Sequence, residues 1–423
     1  VSDGLHPPRG ASPRIKARLD DLAVLGGPRT FPEPLHVGRP NVGDRERLRR
    51  RLEDLLDRRW LTNDGPYVQE LERRLADLLD VPHCIAVCNA TVALGIAARA
   101  LGLTGEVVVP GFTFVGTAHA LAWIGLEPVF CDVDARSHCI DLRSAERHVT
   151  ARTSAILGVH LWGRPCDVEG LEAVCARRGL RLIFDAAHAL ACSHRGRPIG
   201  GFGDVEVFSF HATKFVNAFE GGAVTTRDAG LARRMRLMRN FGFADYDTVV
   251  ELGTNGKMSE PSAAMAITSL ESLEEFVAVN RANHERYAAA LAGTPGLALL
   301  GPAAGERWNY QYVVVEVDED AAGLTRDDLH RVLWAENVLA RRYFHPGCHV
   351  MAPYRGAPSV SLPVTDRLAR SVLCLPTGTA VGGPEIDAIG AVLRVAAAHA
   401  GDVRSRLAAS TPSGRAAAGG AAP

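Results

Sequence analysis

Between residues 84 and 226, apolar runs of strand length alternate with helix-length amphipathic stretches. The runs are CIAV (84–87), EVVVP (106–110), EPVFC (127–131), AILGVH (155–160), RLIFD (181–185), VEVFSF (205–210) and GAVTT (222–226). Stretches such as TVALGIAARALG (91–102) and DVEGLEAVCARRG (167–179) separate the first five at a strand-helix spacing. Continuously apolar strands joined through helices are covered on both faces, so the pattern predicts an α/β protein with a seven-stranded, mostly parallel sheet. The last two runs lie too close for a helical crossover, which leaves room for one antiparallel strand.

After about residue 250 the pattern changes to a long helical stretch (259–293), an apolar run YQYVVVEVD (310–318) and a further helix (325–338), as in a smaller C-terminal α+β domain. Residues 1–20 and 401–423 are rich in Pro, Gly, Ala and Ser without sustained periodicity. The expected organisation is a flexible N-terminus (1–20), a large domain (21–250), a small domain (251–400) and a flexible tail (401–423).

Composition narrows the function. A formal net charge of −1 gives no basic field to hold a nucleic acid. No run reaches the roughly 18 apolar residues of a membrane span, and residues 1–20 lack the apolar core of a secretory signal. The nine cysteines are odd in number and scattered, several inside apolar runs, which suits reduced thiols in the cytoplasm. Cys84 and Cys88 have no second pair at finger spacing, so no metal site is expected.

Open α/β sheets bind ligands outside the carboxyl ends of their strands, and four junctions there carry chemistry. RLIFD ends in Asp185, an acid that needs a donor or cation if buried and that serves equally well as a helix N-cap; His188 follows. VEVFSF leads through Ser209 and His211 to Lys214. Only three of the 47 basic residues are lysine. Where arginine supplies surface charge, a lysine in a strand-flanking loop is there for an amine that can lose its proton and attack a carbonyl, or is a neutral surface replacement. Lys16 reads as such a surface charge. Asn89, Ala90 and Thr91 open a helix after CIAV, an anion site or an ordinary cap. Phe112 and Phe114 follow EVVVP, as core or as a stacking surface. Gly221 and Gly222 allow a tight turn behind the lysine. One cofactor would use all four junctions: pyridoxal 5′-phosphate, with its aldehyde, pyridinium, phosphate and flat ring.

The blocks FDAAHA, GGFGDVEVFSFHATK and FEGGAVTT, within a match running from about 38 to about 400, resemble the DegT/DnrJ/EryC1/StrS family of sugar aminotransferases. The resemblance implies PLP fold type I, as in aspartate aminotransferase, and a homodimer with shared active sites. It makes Lys214 the Schiff-base lysine, Asp185 the partner of the ring nitrogen, His188 a neighbour of the phenolic oxygen and Phe114 the stacking ring. Ala90, Thr91 and Ser209 would hold the phosphate, with Asn255 reaching in from the neighbouring subunit. GTNGKMSE departs from the usual GYNYRMSE at positions that include Gly256 and Lys257, next to that last contact, and Ala90 replaces a common glycine. RWLTNDGP, HLWGRP, SFHATK and GTNGKMSE look most like enzymes that aminate dTDP-4-keto-6-deoxyglucose with L-glutamate; 3-keto aminotransferases share most of these blocks. Arg341, Arg342 and His345 are candidates for the sugar nucleotide's diphosphate, or are a solvated surface. The rivals are a sugar dehydratase, which would replace the lysine by histidine, and a non-catalytic binding or regulatory protein.

Overall fold

The computed structural model describes residues 12–302, 304–355 and 360–409. All seven runs are strands of one sheet: β1 (His83–Val87), β2 (Glu106–Pro110), β3 (Glu127–Cys131), β4 (Thr153–Val159), β5 (Arg181–Asp185), β6 (Val205–Ser209) and β7 (Gly222–Thr226). Their spatial order is β1-β7-β6-β5-β4-β2-β3. Neighbours are parallel except β7, which is antiparallel to both β1 and β6. The register sets Gly222 opposite both Val87 and Ser209, so the loop 210–221 that carries Lys214 rises between two strand ends. Val107, Ile156, Ile183, Val207 and Val224 are fully buried in the sheet, as continuously apolar strands covered on both faces require.

A second, three-stranded antiparallel sheet holds β8 (Leu297–Leu299), β9 (Val313–Val317) and β10 (Val372–Leu375). Its apolar cluster includes Val315, Leu333, Leu375 and Ile389. Leu22, Phe31 and Leu35 join the same cluster, so the segment beginning near residue 14 packs with the C-terminal unit and not with the large sheet.

Three expectations change here. Part of the segment predicted as a flexible N-terminus is fixed: Lys16 is 4% exposed and lies 3.1 Å from Glu336, which corrects its reading as a surface charge. Residues 400–409 form a helix, with Val403 and Leu407 buried in the second cluster; residues 1–11 and 410–423 lie outside the described residues. The stretch 259–293 is two helices, Glu260–Glu271 and Leu273–Leu291. Ala263, Ala266 and Ile267 of the first join the large cluster, and that helix packs on the helices Arg45–Arg58 and Pro66–Leu79. Its apolar face is covered within the chain.

Candidate active site

The C-terminal ends of β1, β2, β5 and β6 open toward the same place. Asp185 ends β5 with 6% of its surface exposed. One carboxylate oxygen accepts from the Thr117 hydroxyl at 2.8 Å, the other from the Ala187 N–H at 3.0 Å. Burial raises its pKa, against the pull of those two donors, Lys214 and His160. An acid desolvated in this way gains most from a cationic partner.

Lys214 is half-buried in the β6–β7 connection. Its N–H closes a turn on the His211 carbonyl at 2.8 Å, and Asn41 and Asn217 tie the loop to the N-terminal segment. The Lys214 amine donates to the Tyr312 hydroxyl at 3.0 Å. Desolvation by surrounding protein lowers it to about 8, with Asp185 opposing the shift. The amine can therefore act as a base or nucleophile near neutral pH.

His188 is buried beside it, its ring 4.4 Å from that of Tyr312 and 5.8 Å from that of Trp162. Burial and the Lys214 charge push its pKa well down, so it is neutral. The Trp162 N–H donates to its Nδ1 at 3.3 Å, which leaves Nε2 as the nitrogen that carries the proton and can donate.

Ala90 and Thr91 begin the helix Ala90–Ala100, capped by Asn89, whose side chain accepts from the Val92 N–H at 2.9 Å. The cap leaves the N–H groups of Ala90 and Thr91 for an anion. Gly222 makes room here: a Cβ would lie 2.8 Å from the Ala90 nitrogen. Since Gly222 pairs with Ser209, the serine adjoins the same helix start. A Cβ on Gly116 would lie 2.9 Å from the Phe114 ring and 3.5 Å from the Thr91 hydroxyl oxygen, which places Phe114 beside this cradle. Phe112 is fully buried, whereas Phe114 is 58% exposed; the first is core and the second is free to cover a ring. Gly221 and Gly222 serve close approach, not a left-handed turn, which Phe219 makes at φ 61°.

Phe114 also lines a cleft of about 470 Å³ with Arg341, Arg342, Tyr343 and His345. The three predicted diphosphate residues thus share one cleft with the predicted stacking ring. Asn255 lies apart, exposed on a segment bridged to Asn240, while neighbouring Gly256 accepts from the Cys88 N–H.

Residues 43–394 match the DegT/DnrJ/EryC1/StrS aminotransferase family. The chain belongs to this family. Among its relatives is a dTDP-4-amino-4,6-dideoxy-D-glucose transaminase of Escherichia coli, 37% identical over 349 residues, 81% of this chain and 93% of that protein. A transaminase of the same name from Shigella dysenteriae is 34% identical over 86% of this chain and 99% of its own length. A crystal structure of DesI in the presence of its TDP-sugar product superposes with a TM-score of 0.89 at 52% identity, covering 92% of this chain and 100% of that one. As a member of the DegT/DnrJ/EryC1/StrS family the protein is a pyridoxal 5′-phosphate-dependent aminotransferase. The residues present fit that cofactor: free N–H groups at a helix start kept clear by Gly222, a buried acid short of a cation, and a desolvated lysine.

Sequence reasoning missed several contributors. Thr117 holds Asp185, Tyr312 holds Lys214, and Trp162, at φ 61°, turns its backbone N–H onto His188. Asn309 donates to the carbonyls of His188 and Leu190. Thr117 and Trp162 lie within stretches read only for Phe114 and for the family block HLWGRP, and nothing local marks Tyr312, which immediately precedes β9.

Proposed function

We propose that this aminotransferase moves an amino group from L-glutamate to carbon 4 of dTDP-4-keto-6-deoxy-D-glucose, giving 2-oxoglutarate and dTDP-4-amino-4,6-dideoxy-D-glucose. The observation that carries the reading is the desolvated Lys214 amine, in the field of the buried Asp185 acid and hydrogen-bonded to Tyr312, whose ring neighbours Tyr343 of a cleft lined by arginines. The names of the Escherichia coli and Shigella dysenteriae relatives support carbon 4 and the dTDP carrier.

In this reading the Ala90 and Thr91 N–H groups and the Ser209 hydroxyl hold the cofactor phosphate, Phe114 covers the ring, and Asn255 reaches the phosphate of a second copy. Bound pyridoxal phosphate supplies an aldehyde carbon that accepts an amine and a ring that takes up the electron pair left by a departing proton. Lys214 Nζ takes the proton from the α-carbon of the amino donor and, in the second half-reaction, returns one to the sugar carbon. The Asp185 carboxylate keeps the ring nitrogen protonated. His188 Nε2–H donates to the ring oxygen, and Arg341, Arg342 and His345 face the diphosphate.

The protein works as a homodimer in this account. Exposed Phe241 and Phe243 adjoin the segment carrying Asn255, the Phe241 N–H donating to the Thr254 carbonyl at 3.0 Å, and large apolar side chains left in water suit an interface with a second copy. The cysteines are all unpaired, and no helix among the described residues is long and apolar enough to cross a membrane; the cytoplasm suits such thiols. The two apolar clusters then correspond to two domains of the subunit. Incubation with the cofactor, glutamate and a panel of dTDP-3-keto and dTDP-4-keto sugars, with products resolved by NMR, should give amination at carbon 4. Amination at carbon 3 would overturn the substrate, and no amination of any sugar would overturn the function.

A further inference from the structure

The arginine-lined cleft has a far end that amino transfer does not use. His330 and Trp334 stand one turn apart on the helix Arg326–Ala335 and share a face. Their ring centroids are 5.0 Å apart, with planes inclined by 34°. Both rings line the cleft, and Trp334 leaves 45% of its surface exposed. It is nevertheless held in place, because its Nε1–H donates to the Ala340 carbonyl at 2.9 Å. Burial, with the neighbouring Arg342 charge, brings His330 down to about 4, so it presents an uncharged flat ring at neutral pH.

The backbone leading from this end carries the intermediate groups in order. Ala340 anchors the indole. Arg341 follows, its guanidinium carbon 5.6 Å from the centre of the Tyr343 ring, with no carboxylate partner among the described residues. Arg342 is already paired with Asp327 at 3.1 Å. Tyr343 then meets Tyr312, the residue that holds Lys214, at 6.2 Å between ring centres. Three residues of extended chain span at most about 10 Å, so the segment carrying Arg341 directly joins the residue that anchors the indole to the residue that meets Tyr312.

We propose that Trp334, with His330 beside it, is the wall on which the planar base of a nucleoside diphosphate stacks, while Arg341 takes the diphosphate between that base and the sugar at Lys214. This inference rests on the reading of the substrate as a nucleotide-linked sugar. A preset, exposed indole offers stacking without further ordering of the protein, and a guanidinium free of carboxylates matches two phosphate oxygens at once.

The test is calorimetric titration of the cofactor-loaded protein with dTDP and, separately, with inorganic pyrophosphate. Trp334→Ala should weaken dTDP binding by about tenfold or more and leave pyrophosphate binding unchanged. Trp334→Phe should restore most of the dTDP affinity, and Arg341→Ala should weaken both ligands. In turnover, Trp334→Ala should raise KM for the sugar nucleotide with kcat retained. Unchanged dTDP affinity in Trp334→Ala overturns the base wall alone. An equal loss for dTDP and pyrophosphate also overturns it, showing that the indole merely supports the Arg341 segment. Wild-type protein that binds no dTDP overturns both the wall and the substrate reading beneath it.

Discussion

Lys16 is buried and Lys214 half-buried in a chain that has three lysines, and their surroundings ask opposite things of the amine. Around Lys16 everything accepts: the Asp21 carbonyl at 2.6 Å, the Pro28 carbonyl, and the Glu336 carboxylate at 3.1 Å. Glu336 in turn accepts from the Ala23 and Thr30 N–H groups at 2.7 and 2.8 Å. The knot fastens residues 14–36 to the turn at Glu336–Asn337 and surrounds the amine with acceptors alone. Around Lys214 the nearest partner is a phenol that can donate as well as accept, with a neutral imidazole and aromatic rings behind it. No carboxylate among the described residues is within ion-pair distance, and burial consequently lowers the amine to about 8. Burial alone therefore does not make two lysines alike; their partners set them apart.

The contrast can be broken by substitution. Lys214→Ala should abolish turnover, a loss of about 10⁴-fold or more, while circular dichroism stays that of the folded protein; substantial residual activity would remove Lys214 from the chemistry. Asp185→Asn keeps the shape and the Thr117 contact but removes the charge proposed to face the ring nitrogen, so kcat should fall by about 10²-fold to 10³-fold. Lys16→Met should do the reverse, costing about 3–5 kcal/mol of stability by stranding a buried Glu336, with kcat per folded molecule unchanged. An equilibrium denaturation curve beside a kcat measurement checks both halves. The smallest effect belongs to Thr117→Val: it removes one hydrogen bond to Asp185, worth about 1.5–3 kcal/mol for a charged acceptor, and should lower kcat by about tenfold without changing KM for the sugar.

The sheet was legible because each strand is a short, unbroken apolar run, and burial on both faces permits nothing else. The Lys214, Asp185 and helix-start positions were legible for a related reason: polar residues at the ends of buried strands stand out against their neighbours. The N-terminal knot was not, since Lys16 and Glu336 are 320 positions apart in sequence and each looks like ordinary surface charge locally. Tyr312 belongs to the same class, because its role comes from the packing of the second sheet's first long strand against the lysine loop. Gly222 was read as a turn residue, but its function is close approach to Ala90, a contact between β7 and a helix that only the folded register creates.

The most direct test of the difference between the two lysines is capture of pyridoxal phosphate by the apoenzyme as a function of pH, fixed with borohydride and mapped by peptide mass spectrometry. The amine of Lys214, lowered to about 8 by burial, should lose its proton as pH rises through that value. The rate of capture should rise in parallel, with the pyridoxyl label on the Lys214 peptide alone. A midpoint near the ordinary lysine value, or label on Lys16 or Lys257, would contradict the account.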